Sequence, residues 1–279
     1  MSLKTHIEIH GHRGARGLWP ENTITGFKEA VKSGVDFLEM DVVISGDKKV
    51  VVSHEPWMNQ NFCIGPDGKE IEGSGQHLNL YNMNYADIVR YDCGQKGNNE
   101  FPLQKAVPEY KPLLSEVITK VDAFSKANHL TQVNYNIEIK SEIQHDEIYN
   151  PTPEIFVDLV YAEIKKLHIE SRIILQSFDV RILQEIRKKD SSIPISLLVE
   201  NTYSLETNLK NLGFTPEIYA PNFHLINKGL IQELNSKNIK LITWTVNEVS
   251  DMKRMIEHGA KGIITDYPNR LNNLIKEIN

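Results

Sequence analysis

Cysteine is nearly missing from this 279-residue chain, which has only Cys63 and Cys93. Two thiols cannot build a disulfide framework, and neither has metal-ligand spacing to a second cysteine or a histidine. Both fall in a Gly/Asn-rich stretch and read as incidental, with a single bond between them in an oxidising compartment left open. Excess basic charge is missing as well. A net charge of −6 argues against the broad positive surface of a nucleic-acid binder, though a few local cations could hold one small phosphate. No run approaches about eighteen apolar residues, so nothing here reads as a membrane span. The start, MSLKTHIEIHGH, enters a strand almost at once without an apolar signal-peptide segment. Its abruptness suits a trimmed leader at Met1–Leu3. The cytoplasm is therefore the default location, and the periplasm the location if a leader has been removed. Internal repeats and low-complexity tracts are absent too.

What the chain does have is alternation. Short β-rich runs cover 7–12, 36–44, 133–140, 172–177, 194–199, 217–222, 240–246 and 261–266. Helical periodicity fills 22–33, 112–127, 153–168, 179–189, 204–211, 227–237, 248–258 and 268–278. Pro-Glu-Asn-Thr precedes the first helix, and Asn227 and Asn247 stand as candidate N-caps. Eight strands alternating with eight helices predict one (β/α)8 TIM-type barrel over residues 1–279. A doubly wound open sheet is the alternative, but no Gly-rich phosphate loop opens a helix after the first strand. Residues 49–54 read as a further strand, and the short turn SGDK makes it a hairpin with strand two. Taking Ser45–Lys48 as the turn, the register sets His54 opposite Glu39. Residues 55–110 lack periodicity and read as an inserted subdomain capping the C-terminal barrel face.

Active sites of such barrels sit at the C-terminal strand ends. In DFLEMDVVIS, Glu39 and Asp41 share one face of a strand that is otherwise apolar. Burying two like charges is costly unless something positive is beside them. NIEIK repeats the pattern with Glu138 and Lys140. Glu39, Asp41 and Glu138 form a hard-oxygen set suited to Mg2+ or Ca2+; zinc fits less well, since the set lacks cysteine. A salt-bridge network with Arg13 and Lys140 is the plainer alternative. His12 and His54 are a candidate acid–base pair, because imidazole titrates near neutrality. His6, His77, His129, His145, His168, His224 and His258 read as packed or surface residues, while His10 shares the face of His12 one level deeper. Arg13 and Lys140 suit an anionic substrate such as a phosphate. Ser177, Phe178, Trp244 and Asp266 complete the strand-end residues.

The stretch HRGARGLWPENTITGFKEAVKSGVDFLEMDVVISGDKKVVVSHE resembles the N-terminal signature of glycerophosphodiester phosphodiesterases. NIEIK, QSF, TWTVN and GIITDYP resemble later strand ends of the same family, so the likeness spans essentially the whole chain. It implies a barrel of the phospholipase C-like phosphodiesterase type with a small insertion. The implied activity is metal-dependent hydrolysis of glycerophosphodiesters to sn-glycerol 3-phosphate and an alcohol. By position, Glu39, Asp41 and Glu138 would bind Mg2+ or Ca2+, and His12 and His54 would be the general acid and base. Arg13 and Lys140 would contact the phosphate, and Trp244 the glycerol. The family usually has Asp after its second histidine, and here Glu55 stands there, which puts the orientation of His54 in question. Water or a glycerol hydroxyl could attack. Two other functions fit the sequence: a lysophospholipase D whose channel Trp57, Phe62, Tyr81 and Tyr85 would line, unless they form the insertion's own core instead, and a barrel that binds phosphodiesters without cleaving them. The implied partner is a small-molecule phosphodiester, with no nucleic acid and no membrane span.

Overall fold

The computed structural model describes residues 6–278, so the leader remnant read at Met1–Leu3 lies outside the described residues. The strands are β1 (Glu8–Gly11), β2 (Phe37–Ile44), β3 (Val50–Val52), β4 (Asn134–Ile139), β5 (Ile173–Ser177), β6 (Ile195–Val199), β7 (Ile218–Pro221), β8 (Lys240–Thr243) and β9 (Gly262–Thr265). The helices are α1 (Ile24–Lys32), α2 (Tyr85–Ile88), α3 (Leu114–Ala127), α4 (Pro153–Leu167), α5 (Val180–Lys189), α6 (Leu205–Leu212), α7 (Lys228–Ser236), α8 (Val249–Glu257) and α9 (Pro268–Ile278). All strands but β3 pair in parallel around the order β1-β9-β8-β7-β6-β5-β4-β2, and β1 pairs with β2 to close the ring. The fold is a closed eight-stranded parallel barrel with helices between strands, the (β/α)8 architecture expected.

Side-chain chemistry explains the boundaries. Thr23 accepts from the Gly26 amide to open α1, and Asn227 accepts from Leu230 to open α7, each satisfying one free N–H of a helix start. Asn247 does not cap α8 as expected. Its amide is drawn to Asp266 instead, and Glu248 takes the cap position. Gly213, in the left-handed conformation that L side chains resist, ends α6.

Alternation along the strands sorts two environments. Leu38, Met40 and Val42 of β2 and Tyr135, Ile137 and Ile139 of β4 pack outward into the large apolar cluster under the helices. Inside the barrel, one sector is apolar: Ile174, Leu198, Ile218, Ala220, Ile242 and Ile264 pack together. The sector lined by β1, β2, β4 and β5 is polar, with His10, Glu39, Asp41, Asn136, Glu138 and Gln176 all buried. Fully burying each aliphatic side chain contributes about 1.5–3 kcal/mol, so the apolar shell can tolerate a polar sector whose groups are mostly hydrogen-bonded.

The hairpin differs from expectation by one residue. The Lys49 carbonyl accepts from the Ser45 amide, and β3 pairs Val52 with Val42, Val51 with Val43 and Val50 with Ile44. Continued, that register sets Glu55, not His54, across from Glu39. β2 is long enough to pair with β1 at Phe37 and Leu38 and with β3 at its far end. His54 therefore hangs beyond the end of β3.

Residues between β3 and α3 build a second core. Met58, Phe62, Cys63, Leu80, Ile88 and Cys93 pack with Val43 and Val51 of the hairpin. Cys63 and Cys93 are joined by a disulfide, so they are not incidental, and the bond left open between them is formed. This segment touches the barrel at its strand ends: the Gln104 amide donates to the Arg16 and Trp19 carbonyls, and Asn79 donates to Ile148.

Candidate active site

The turn after β1 sets the geometry. A Cβ on Gly11 would stand 2.3 Å from the Gly14 carbonyl oxygen, so only glycine permits this bend. Arg13 itself has φ of +49°, uncommon for a residue with a side chain. That conformation turns its amide toward β2, where it donates to Glu39 Oε2 at 2.8 Å.

Glu39, Asp41 and Glu138 come together as expected. Each is buried, and each offers an oxygen lying within 4.8 Å of the others'. Burial, Asp41 and Glu138 push the Glu39 carboxyl well above its ordinary value, and burial raises Glu138. Burial would raise Asp41 too, but Arg13, His54, Lys140 and the Asn22 amide hold it well below the usual carboxylate range. Two cations flank the cluster. Lys140 Nζ pairs with Glu138 at 2.7 Å and stands 3.9 Å from Asp41. Arg13 spends its Nη1 on Glu21 at 2.8 Å, and its buried Nε lies 3.4 Å from Asp41 without a hydrogen-bond partner. Three clustered carboxylate donors fit a hard divalent cation, and an orphaned guanidinium N–H beside them fits an incoming anion.

Both histidines face this cluster, each with a carboxylate behind it. His12 Nδ1 is 2.7 Å from Asp266 Oδ1, and its Nε2 is 4.0 Å from Glu39. Burial pushes the His12 imidazole down to about 4 although Asp266 pulls the other way, so the ring is neutral at physiological pH. With Nδ1–H donated to Asp266, Nε2 carries a free lone pair. His54 Nδ1 is 3.0 Å from Glu55 Oε1. Burial would raise Glu55, but the hydrogen bond to His54 and its charge, with Lys111 and Arg13, bring it down to about 2. The longer Glu55 side chain thus reaches His54 after all.

Trp244 stands apart from the carboxylates, at the end of β8. Its Nε1–H donates to the Ala220 carbonyl at 2.7 Å, and it meets Phe178 edge-on with centroids 5.4 Å apart. Phe178 in turn lines a cavity of about 490 Å³ with His54, Trp57, Glu138, Lys140 and His145. His145, read as a packed or surface residue, is therefore a wall of this cavity. Of the four aromatics suggested for a channel, only Trp57 lines it. Phe62 and Tyr85 pack in the second core, and Tyr81 packs on the barrel.

Several residues escaped sequence reading. Asn22 brackets Asp41, donating to its carboxylate at 2.9 Å and accepting from its amide at 3.3 Å. Gln176 donates to Glu39 Oε1 at 3.0 Å. Arg16 grips Asp266 through Nε and Nη2 at 2.8 and 3.1 Å. Lys111, fully buried, donates to Ser53 at 2.7 Å, and burial pushes its ammonium down. Only Gln176 left a trace in the sequence, since it alternates with Ile174 on the inner face of β5.

Among the described residues no helix is long and apolar enough to cross a membrane. Comparison with known proteins gives one consistent result. The chain is 30% identical to a glycerophosphodiester phosphodiesterase from Caldanaerobacter subterraneus subsp. tengcongensis, over 96% of this chain and 98% of that protein. It is 29% identical to a lysophospholipase D from Mus musculus, over 98% of this chain and 86% of the relative. A crystal structure described as a putative glycerophosphoryl diester phosphodiesterase from Silicibacter pomeroyi superposes with a TM-score of 0.87 at 28% identity, covering 98% and 94% of the two chains. The model of the glycerophosphoryl diester phosphodiesterase family matches residues 12–270, and the chain belongs to that family.

Proposed function

We propose that this enzyme hydrolyses glycerophosphodiesters to sn-glycerol 3-phosphate and an alcohol, using a divalent cation and two histidines. The observation that carries the reading is the buried Glu39, Asp41 and Glu138 cluster beside two histidines, each held at Nδ1 by a carboxylate. Glu39, Asp41 and Glu138 would hold Mg2+ or Ca2+, which when bound polarises phosphoryl oxygens. Arg13 and Lys140 bind the phosphate and offset the negative charge that grows on it. His12, neutral with Nε2 free, takes a proton from the attacking oxygen. His54, held at Nδ1 by the Glu55 carboxylate, gives one to the departing alkoxide. Trp244 lies against the glycerol, and the cavity on the His54 side takes the alcohol group. The insertion between β3 and α3 caps this face and excludes water. The Cys63–Cys93 bond favours the oxidising location of the two considered, because disulfides persist there.

A panel of diesters assayed with metals varied tests this reading. Prolonged chelation should abolish turnover, and Mg2+ or Ca2+ should restore it. Replacing His54 by Ala should lower turnover by roughly a hundredfold or more in a folded protein. Full activity in chelator removes the three carboxylates from their role, and near-wild-type His54→Ala removes the acid. A second reading, lysophospholipase D activity, has its own support: Ile143, Ile148 and Phe178, apolar and exposed, lie on the loops after β4 and β5. A faster rate on a long-chain lysolipid than on glycerophosphocholine would favour it.

A further inference from the structure

The polar sector inside the barrel is organised as one file of hydrogen bonds. Starting from the N-terminal face, Lys240 donates to Glu8 at 2.5 Å. His10 Nε2 lies 3.3 Å from the other Glu8 oxygen, and His10 Nδ1 lies 3.4 Å from Asn136 Nδ2. Asn136 Nδ2 also donates to Gln176 Oε1 at 3.1 Å, and Gln176 Nε2 donates to Glu39 Oε1 at 3.0 Å. His10, Asn136, Gln176 and Glu39 are all buried.

Donor and acceptor chemistry gives this file one direction. An amide NH2 can only donate, so His10 Nδ1 must accept and Nε2 must carry the proton toward Glu8. Stacking on Phe37 at 4.4 Å and 3° holds the ring in that plane. Gln176 then has its oxygen occupied by Asn136, which leaves its NH2 turned to Glu39. Flipping either amide would set oxygen against a lone pair. The Asn136 Oδ1 atom is buried with no partner, so this side chain is held by what it donates. A barrel interior is ordinarily filled with branched aliphatics, as on the β6–β9 side here, and buried polar groups destabilise it unless they are bonded.

We propose that Gln176, Asn136 and His10 are positioning residues that hold Glu39 ready for the divalent cation; this rests on the metal reading given above. Glu39 needs such support. Asp41 and Glu138 repel it, and free rotation would let it swing from the cluster. The Arg13 amide fixes Oε2 and Gln176 fixes Oε1, so each oxygen keeps a lone pair for the ion and the carboxylate plane is set before the ion arrives. Groups that orient metal ligands in this way typically change metal affinity by about tenfold to a hundredfold when removed.

The test is calorimetric titration of Ca2+ or Mn2+ into full-length, metal-stripped protein, with thermal unfolding measured on each variant. Gln176→Leu keeps the volume and removes the donor; its dissociation constant should rise by about tenfold or more, and lost turnover should return as metal is raised. Asn136→Ala, one step further along the file, should weaken binding by a smaller factor, and it decides the matter if Gln176→Leu does not fold. Thr243→Val removes a buried hydroxyl that donates to the Pro221 carbonyl on the other side of the barrel, and it should leave metal affinity unchanged. Wild-type affinity in folded Gln176→Leu overturns the proposal, as does equal weakening by Thr243→Val. A wild-type protein that binds no divalent cation overturns the metal reading and this inference together.

Discussion

Asp266 and His12, 254 residues apart in sequence, meet at 2.7 Å because β9 and β1 are neighbours in the closed barrel. The Asp266 carboxylate is itself fully engaged. Arg16 grips both its oxygens, and the Asn247 amide donates to it at 2.7 Å. Burial would raise its carboxyl, but His12 and Arg16 hold it well below the usual range. The anion is therefore permanent at physiological pH, and so is the tautomer it imposes on His12.

Replacing Asp266 by Asn tests that relationship. An amide can turn its NH2 toward Nδ1, which moves the imidazole proton to Nε2 and removes the lone pair that faces the cluster. Turnover should fall by about a hundredfold or more, with KM changed much less. Nitrogen NMR of labelled histidine should show the exchanged tautomer. Unchanged turnover with an exchanged tautomer would show that His12 is not the base.

Much of this is legible in the sequence, and the rest is not, for reasons that differ from residue to residue. The barrel followed from alternating apolar periods, and Glu39, Asp41 and Glu138 stood out because each interrupts a strand of apolar neighbours such as Met40 and Ile137. Asn136 and Gln176 interrupt strands too, but an uncharged amide in a strand looks ordinary until its partner is known. Those partners are 40 and 137 residues away in sequence. SGDK leaves the place of His54 open by one residue, because it is compatible with two turn lengths, and the structure adopts the one that pairs Val52 with Val42. The disulfide joins two positions inside a segment with no period to place them.

Glu8 at the far end of the barrel gives a pH signature. Burial would raise its carboxyl, but hydrogen bonds from His10 and Lys240 and the Lys240 charge outweigh that and bring it from 4.5 down to about 2. A carboxyl lowered on folding contributes stability that is complete above its unfolded value and is lost as pH falls through the folded one. Glu8→Gln should therefore destabilise the protein at pH 7, with the deficit shrinking between about pH 4.5 and 2. Urea unfolding of both proteins across that range measures it. A deficit independent of pH would mean that shape, not charge, is what Glu8 supplies.

Reduction should loosen the second core. The Cys63–Cys93 bond closes a 30-residue span, and chain entropy assigns such a loop roughly 3–4 kcal/mol. Cys63→Ser with Cys93→Ser should lower the urea midpoint accordingly, and a reductant should do the same to the wild type alone. Because His54 and Glu55 enter this segment directly from β3, turnover should fall at temperatures where the barrel itself stays folded. Equal midpoints with and without reductant would show that the bond contributes nothing to stability.

The choice of alcohol should follow charge. The cavity beside His54 is walled by Trp57 and Phe178, and Glu142 and Glu200 at its edge have no ion-pair partner among the described residues. Glu142 accepts from Gln144, and Glu200 accepts only a long contact from Asn222 at 3.4 Å. Aromatic faces beside free carboxylates attract a cation, each exposed contact contributing about 0.5–1 kcal/mol. Lys140 opposes this, but it is committed to Glu138 at 2.7 Å. Glycerophosphocholine should therefore be cleaved with a kcat/KM several-fold above that of glycerophosphoglycerol, which is similar in reach but carries no positive charge on its alcohol. Glu200→Gln and Trp57→Ala should each narrow the ratio by lowering only the choline rate, and added salt should narrow it further, since these carboxylates face solvent. Equal rates on the two diesters would mean that the cavity accepts the alcohol by size alone.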